Sequence, residues 1–389
     1  MQNWNYLNYC GVSPLLDSAR FATAKFDERH STEGTLVFGE YSDVLGELHQ
    51  SAAALLKTDK ANLSFVRNTA EGMSLIANGY PFQSGDEIVS YIHEYPSNHY
   101  PWVLQNQRGV KLNLIQDRLT NLSEDIAHFE LNSLPGPSSF SIEDIDSVVT
   151  KNTRIIAISH VQFTSGFAVD LKELGEYCKD RNIDLVVDAA QSLGSLPLYP
   201  DQFNISAIAA SGWKWLRGPI GTGLLYTSGK FRSKINQTMA GADLMKQGQD
   251  YLNHSWNPYT DGRRFEYSTA PLSLAVALKT CIDELPLRNT VEGVQNYIWG
   301  LQDQFIQELI ENSNSKNHST KIKPVIFDNG HRSCILSIIV PNPEEIMKQL
   351  KDNRIICTAR GGYLRFAPHL ATTKEDVANF TDQLFKIIK

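Results

Sequence analysis

Ser211-Gly212-Trp213-Lys214-Trp215-Leu216-Arg217-Gly218-Pro219 decides how this chain of 389 residues is read. A lysine stands between two tryptophans, directly after the apolar run Ile205 to Ala210. A Gly-Pro turn and a second apolar run, Gly223 to Tyr226, follow. At the end of a buried strand an ammonium group loses its hydration and its pKa falls. The neutral amine can then attack a carbonyl. An isolated lysine of this kind can equally be a snorkelling side chain on an apolar edge. The choice between the two rests on residues upstream. Ile183-Asp184-Leu185-Val186-Val187-Asp188-Ala189-Ala190-Gln191-Ser192 reads as a short β-branched strand with an acid at its carboxyl end. Ligands of open α/β sheets bind at the carboxyl ends of strands, so Asp188 and Lys214 are expected to face one crevice.

At this spacing, D-A-A-Q-S at 188–192 and S-G-W-K-W at 211–215 resemble the class V aminotransferase group of pyridoxal-phosphate (PLP) enzymes. That group includes cysteine desulfurases, selenocysteine lyases, isopenicillin N epimerases, kynureninases and C–S lyases. The resemblance covers nearly the whole chain. It implies an α/β protein of fold type I, with a large, mostly parallel sheet domain over 15–270. A smaller α+β domain over 271–389 and an N-terminal segment, 1–14, complete it.

Bulk properties agree with that expectation. The length favours two domains. Hydrophobic residues at 42% and charged residues at 20% are ordinary for a globular protein. A net charge of -7 argues against a general nucleic-acid binder. Cys10, Cys178, Cys281, Cys334 and Cys357 are scattered and show no C-x-x-C spacing, so neither a disulfide framework nor a zinc site is expected. The N-terminus lacks a basic and apolar leader pattern, and no apolar run approaches membrane-spanning length. A soluble cytoplasmic protein is the expectation.

From about residue 60 to 230, strand and helix patterns alternate, which predicts parallel strands covered by helices. Val44 to Leu56 has helical apolar spacing. Phe65 to Met73 reads as a strand that turns into a helix at Asn68 or Thr69. Free N–H groups at such a helix start, with the positive end of its dipole, suit a cap or an anion. Strands are expected at Glu87–Tyr91, Gly109–Ile115 and Arg154–Ser159, and a helix at Leu171–Arg181. Leu131–Ser141 and Met239–Tyr259 read as loops. Further on, helices are expected at Pro271–Leu285, Val291–Ile310, Glu344–Leu350 and Thr373–Ile388, a strand at Cys334–Val340 and a polar linker at Asn312–Thr320.

The resemblance assigns roles residue by residue. Lys214 would hold the PLP aldehyde and, once displaced by an amino acid, move the Cα proton. Asp188 would pair with the pyridine nitrogen and keep the ring an electron sink. Thr69, Ala70, Glu71 and Ser211 would bind the phosphate. Thr269, in the Arg263-Arg264-Phe265-Glu266-Tyr267-Ser268-Thr269 stretch, would reach the phosphate of a neighbouring subunit, which implies a homodimer with a shared active site. Gln191 and His160 would hydrogen-bond the phenolic oxygen; His160 can equally be a satisfied histidine at a strand end. Tyr95 stands where desulfurases carry a ring-stacking histidine. It can stack, but its pKa near 10 makes it a poorer proton shuttle. Trp213 stands where the family has a histidine and offers one indole N–H. His93 and His99 read as structural or surface residues. Arg365 would grip the substrate carboxylate, for which a guanidinium fork is well shaped. Asn8 is a candidate substrate contact, or a turn-forming asparagine.

Desulfurases carry a nucleophilic cysteine on a mobile loop before that arginine. Here Cys357-Thr358-Ala359-Arg360 runs straight through Gly361-Gly362 to Tyr363. Cys357 therefore reads as a small core residue. The implied activity is a PLP enzyme acting on a small amino acid through a Cα carbanion, by epimerisation or β-elimination, with cysteine desulfurase or selenocysteine lyase as the alternative. A binding protein of the same fold that lost its activity is the rival from another class. A nicotinamide dehydrogenase is a weaker one, since no G-x-G-x-x-G follows an early strand.

Overall fold

A computed structural model describes residues 4–117, 139–316 and 321–388. Its largest sheet has seven strands: β2 (Leu63–Val66), β3 (Glu87–Tyr91), β4 (Lys111–Ile115), β5 (Thr153–Ser159), β6 (Asp184–Asp188), β7 (Ala207–Ser211) and β8 (Gly223–Thr227). Their order is β2-β8-β7-β6-β5-β3-β4. All neighbours are parallel except β8, which runs antiparallel to both β2 and β7. The sheet is thus mixed, with one reversed strand in a parallel array. Strands β5 to β8 are covered on both faces. That is why their sequences are near-continuous apolar runs without alternation.

Short crossovers with well-capped helices set the parallel order. The helix Leu171–Asp180 precedes β6; the Asp170 carboxylate accepts from the N–H groups of Lys172 and Glu173 at 2.9 and 3.0 Å. A second, antiparallel sheet of four strands has the order β12-β13-β10-β9. It comprises β9 (Lys323–Pro324), β10 (Leu336–Ile339), β12 (Thr358–Arg360) and β13 (Tyr363–Phe366). Its own core centres on Phe305, Phe366 and Phe380, whose ring centroids lie 5.2–5.3 Å apart. Near the N-terminus, β1 (Asn5–Tyr6) pairs in parallel with β11 (Ile355–Ile356). This ties the first residues to the second sheet.

One expectation needs correction, and one helix was not foreseen. The helix Val291–Lys316 continues through the first part of the segment read as a polar linker. Asn312 there donates to the Glu308 carbonyl at 2.9 Å, a polar side chain bonded back along its own helix. The rest of that segment, and most of the Leu131–Ser141 loop, lie outside the described residues. The helix Asp17–Glu33 has no counterpart in the sequence reading. It buries only Ala19 and Phe26, so it carries no apolar period to read. Among the described residues, no helix is long and apolar enough to cross a membrane.

Candidate active site

The carboxyl ends of β5, β6 and β7 open onto a cavity of about 480 Å³. Lys214 and Asp188 both line it. The turn after β7 separates the two tryptophans. Trp215 goes into the core, its indole N–H donating to Gln191 at 3.3 Å, while Trp213 lines the cavity.

The two central charges disturb each other through low-dielectric surroundings. Burial pushes the Lys214 amine towards its neutral form; the Asp188 carboxylate opposes this, and the Arg365 guanidinium adds to it. The side chain remains partly accessible because it faces the open cavity. Asp188 is pushed up to about 6, chiefly by burial, against the Ala190 N–H bond at 2.8 Å and the Lys214 charge. The Lys214 nitrogen lies 5.4 Å from the centroid of the Tyr95 ring, which meets Phe163 edge-on at 5.2 Å.

An anion cradle lies at one end. The helix Thr69–Gly79 starts two residues after β2, capped by Asn68, whose side-chain oxygen accepts the Glu71 N–H at 2.8 Å. Gly72 lets this helix sit hard on β7: a Cβ there would lie 2.7 Å from the Ala209 Cβ. That approach brings the Thr69 and Ser211 hydroxyls to 2.9 Å. The Ala70 N–H has no partner among the described residues, as expected in the first turn of a helix. Asn68, Thr69, Ala70 and Ser211 line the cavity. Hydroxyls, a free N–H and a helix dipole are what a phosphate needs.

At the other end, Arg365 of β13 is 4% exposed. It donates to the Phe163 carbonyl, and its Nε has no partner. No ion pair among the described residues includes it. A buried guanidinium without a carboxylate is set up for an anionic ligand.

Four residues named from the sequence lie elsewhere. The Glu71 carboxylate pairs with Arg67 at 2.6 Å and its N–H is taken by Asn68, so neither group reaches the cavity. His160 is not in the cavity wall. It is buried behind β5, and burial pushes it down to about 4. The neighbours Ser159 and Val161 face the cavity instead, because alternate residues point to opposite sides. The Asn8 side chain folds against Gly11, and Cys10, Gly11 and Val12 carry the N-terminal segment over the mouth. Thr269 is exposed on another face of the chain, lining a separate cavity of about 760 Å³. Gln191 does line the site, with its amide donating to the Cys10 carbonyl at 3.0 Å.

Sequence reasoning missed Arg360, Phe163, Ser97 and Cys10 in the wall. It also missed Glu94, a fully enclosed acid that accepts from the Ser159 N–H at 2.8 Å, Asn98 at 3.0 Å and Gln162 at 3.1 Å. An acid followed by a bulky aromatic at a strand end was the signal available for it.

The residues present fit PLP: a desolvated lysine, a carboxylate across from it, a phosphate cradle and an aromatic ring. The Aminotransferase class-V family model matches residues 28–376. A probable cysteine desulfurase of Methanothermobacter thermautotrophicus is 28% identical over 243 residues, 61% of this chain and 56% of that relative. The match thus spans a little over half of that relative's length. Another, of Borreliella burgdorferi, is 25% identical over 350 residues, 84% of this chain and 77% of the relative. Among solved structures, the cystine C–S lyase C-DES in complex with its reaction product cysteine persulfide has the same fold. Its TM-score is 0.84 at 20% identity, covering 98% of this chain and 97% of that one. A lysine-bearing turn after β7, a carboxylate ending β6 and a family match over most of the chain converge: this protein is a PLP-dependent enzyme of the class V aminotransferase family, fold type I.

Proposed function

We propose that the enzyme cleaves a carbon–sulfur bond of a small amino acid by β-elimination, with no thiol of its own taking up the sulfur. One observation carries this. The strands β12 and β13 are joined by Gly361-Gly362, both at positive φ (57° and 84°), which closes the hairpin tightly and leaves no room for a thiol-bearing loop. Cys357 is buried before that hairpin, and burial pushes its thiol up to about 12. A thiol held protonated is a poor nucleophile.

When bound, PLP supplies an electron sink adjacent to the substrate Cα. Asp188 would hold its ring nitrogen; Thr69, Ala70, Ser211 and Trp213 would hold its phosphate; Gln191 and Tyr95 would fix the ring. Arg365 orients the substrate by its α-carboxylate. The Lys214 amine, shifted towards its neutral form by burial, takes the Cα proton. The Cβ–S bond breaks with its electron pair going to sulfur. The released aminoacrylate hydrolyses to pyruvate and ammonia. A homodimer in which Thr269 completes the partner's phosphate site belongs to the same proposal.

A desulfurase is the second reading. Several relatives are named so, and Cys10 is a thiol in the cavity wall. Epimerisation, which the sequence left open, has no support in the relatives' names. Proton NMR of the PLP-loaded protein with cystine and cysteine separates these. Pyruvate is expected, with turnover unchanged in Cys357→Ala. Alanine from cysteine, abolished in Cys10→Ser, would establish the desulfurase instead.

A further inference from the structure

We infer that the site selects amino acids whose side chain ends in a second anion, a carboxylate or a sulfinate, held by Arg360. The inference rests on the reading of this cavity as an amino-acid site. Its basis is the placement of two guanidinium groups on one face of one hairpin. In the β12–β13 register, Arg365 lies opposite Thr358 and Tyr363 opposite Arg360. Residues two apart on a strand share a face, so Arg360 and Arg365 are diagonal neighbours on the same side. Both line the cavity, Arg365 buried in the wall and Arg360 exposed at the rim.

Neither cation is neutralised. Arg360 donates only to the carbonyl of Ala359, at 2.9 Å, and Arg365 only to that of Phe163. No carboxylate among the described residues pairs with either. Among the described residues Asp188 is the one acid in the cavity wall, and it is set across from Lys214. The phosphate end of the cofactor is provided for by Thr69, Ala70 and Ser211, so it requires neither arginine. One arginine accounts for an α-carboxylate and the other is left over. Like charges on diagonal positions disfavour each other, and an anion bound near each relieves the repulsion.

The hairpin is also held rigidly enough to present both groups. A Cβ on Gly361 would meet Thr164 at 2.9 Å, so the hairpin tip rests on the loop whose Phe163 carbonyl receives Arg365. Ser337 of β10, opposite Arg365, donates to the Thr164 carbonyl at 2.6 Å and braces the other side. Arg365 thus has a fixed seat, while the longer reach of Arg360 is free to meet a distal group.

The test is a calorimetric titration of the PLP-loaded protein, and of the cofactor-free protein, with succinate and with butyrate. These probes have the same chain length and differ by one carboxylate. Succinate is expected to bind at least about tenfold more tightly, the scale of one charge-assisted contact. Arg360→Gln should collapse that gap and leave butyrate unchanged; Arg360→Lys should keep part of it; Arg365→Gln should weaken both ligands. Equal binding of the two acids to the wild type, or a gap that survives Arg360→Gln, overturns the inference. Failure of the PLP reading is visible separately, as absence of the cofactor's absorbance in the same samples, while the titration of the cofactor-free protein still decides the role of Arg360.

Discussion

Two of the cavities among the described residues differ sharply in the state of their polar groups. The cavity of about 760 Å³ around Thr269 contains two ionisable pairs that satisfy each other, His49 with Glu266 and Arg263 with Asp261. His49 bonds Glu266 at 2.6 Å, and Glu266 also accepts the Phe65 N–H at 2.6 Å. The cavity of about 480 Å³ at the strand ends contains groups left in tension. Lys214 is pushed towards neutrality, Asp188 is pushed up to about 6 and Arg365 has an unpartnered Nε. A settled buried pair stabilises a fold; an unsettled set waits for a ligand. Size does not distinguish the two, but the state of their polar groups does.

The comparison can be broken by mutation. Lys214→Ala should abolish turnover, by roughly 1,000-fold or more, since the amine both holds the cofactor and moves the proton. Asp188→Asn should lower kcat by roughly 100-fold at unchanged folding, the scale of losing one preorganised electrostatic partner. In the other cavity, His49→Ala should cost about 2 kcal/mol of stability, measured by denaturant titration, because the Glu266 carboxylate stays buried with a partner removed. A kcat loss in His49→Ala as large as that in Asp188→Asn would erase the distinction.

A smaller effect concerns pH. The Glu94 carboxyl is held up to about 7 rather than 4.5, chiefly by burial. The folded protein keeps this proton where the unfolded chain has released it, so stability falls as pH rises from about 4.5 to about 7. Asp188, also raised, acts in the same direction over the lower part of that window. The melting temperature should drop by a few degrees between about pH 5 and about pH 7.5, and the slope should flatten in Glu94→Gln. Smallest of all, Thr269→Ala should weaken PLP binding by roughly 3- to 10-fold, the worth of one hydrogen bond to a charged group. Sedimentation should show a dimer. A monomer with full PLP affinity would detach the larger cavity from the site.

The fold was legible wherever burial wrote a pattern. The covered strands β5 to β8 appear as apolar runs, and the helix Val44–Leu56 matches its spacing residue for residue. The polar helix Asp17–Glu33 was not legible, because its one short buried stripe leaves no period. In the site, Asp188 and Ser211 close β6 and β7, Lys214 follows in the turn after β7 and Arg365 lies in β13, so the strand pattern of the sequence brings them to one cavity. His160 was misplaced because a one-residue step along an extended chain reverses which side is faced, and Asn8 because the turn at 9–11 folds its side chain back onto Gly11. Glu71 was misplaced because its partner, Arg67, is a neighbour one helical turn back whose claim on it only three dimensions reveal. Arg360 enters the cavity through the register of a short hairpin, and Cys10 through N-terminal docking, a contact made across 181 residues of chain.

The most direct test of the account is borohydride reduction of the PLP-loaded protein, followed by peptide mapping. Reduction fixes the cofactor to the lysine that holds it. The account predicts a single label on Lys214, absent in Lys214→Ala. A label on a lysine of the larger cavity, such as Lys60, or no label on a protein that retains PLP, would contradict it.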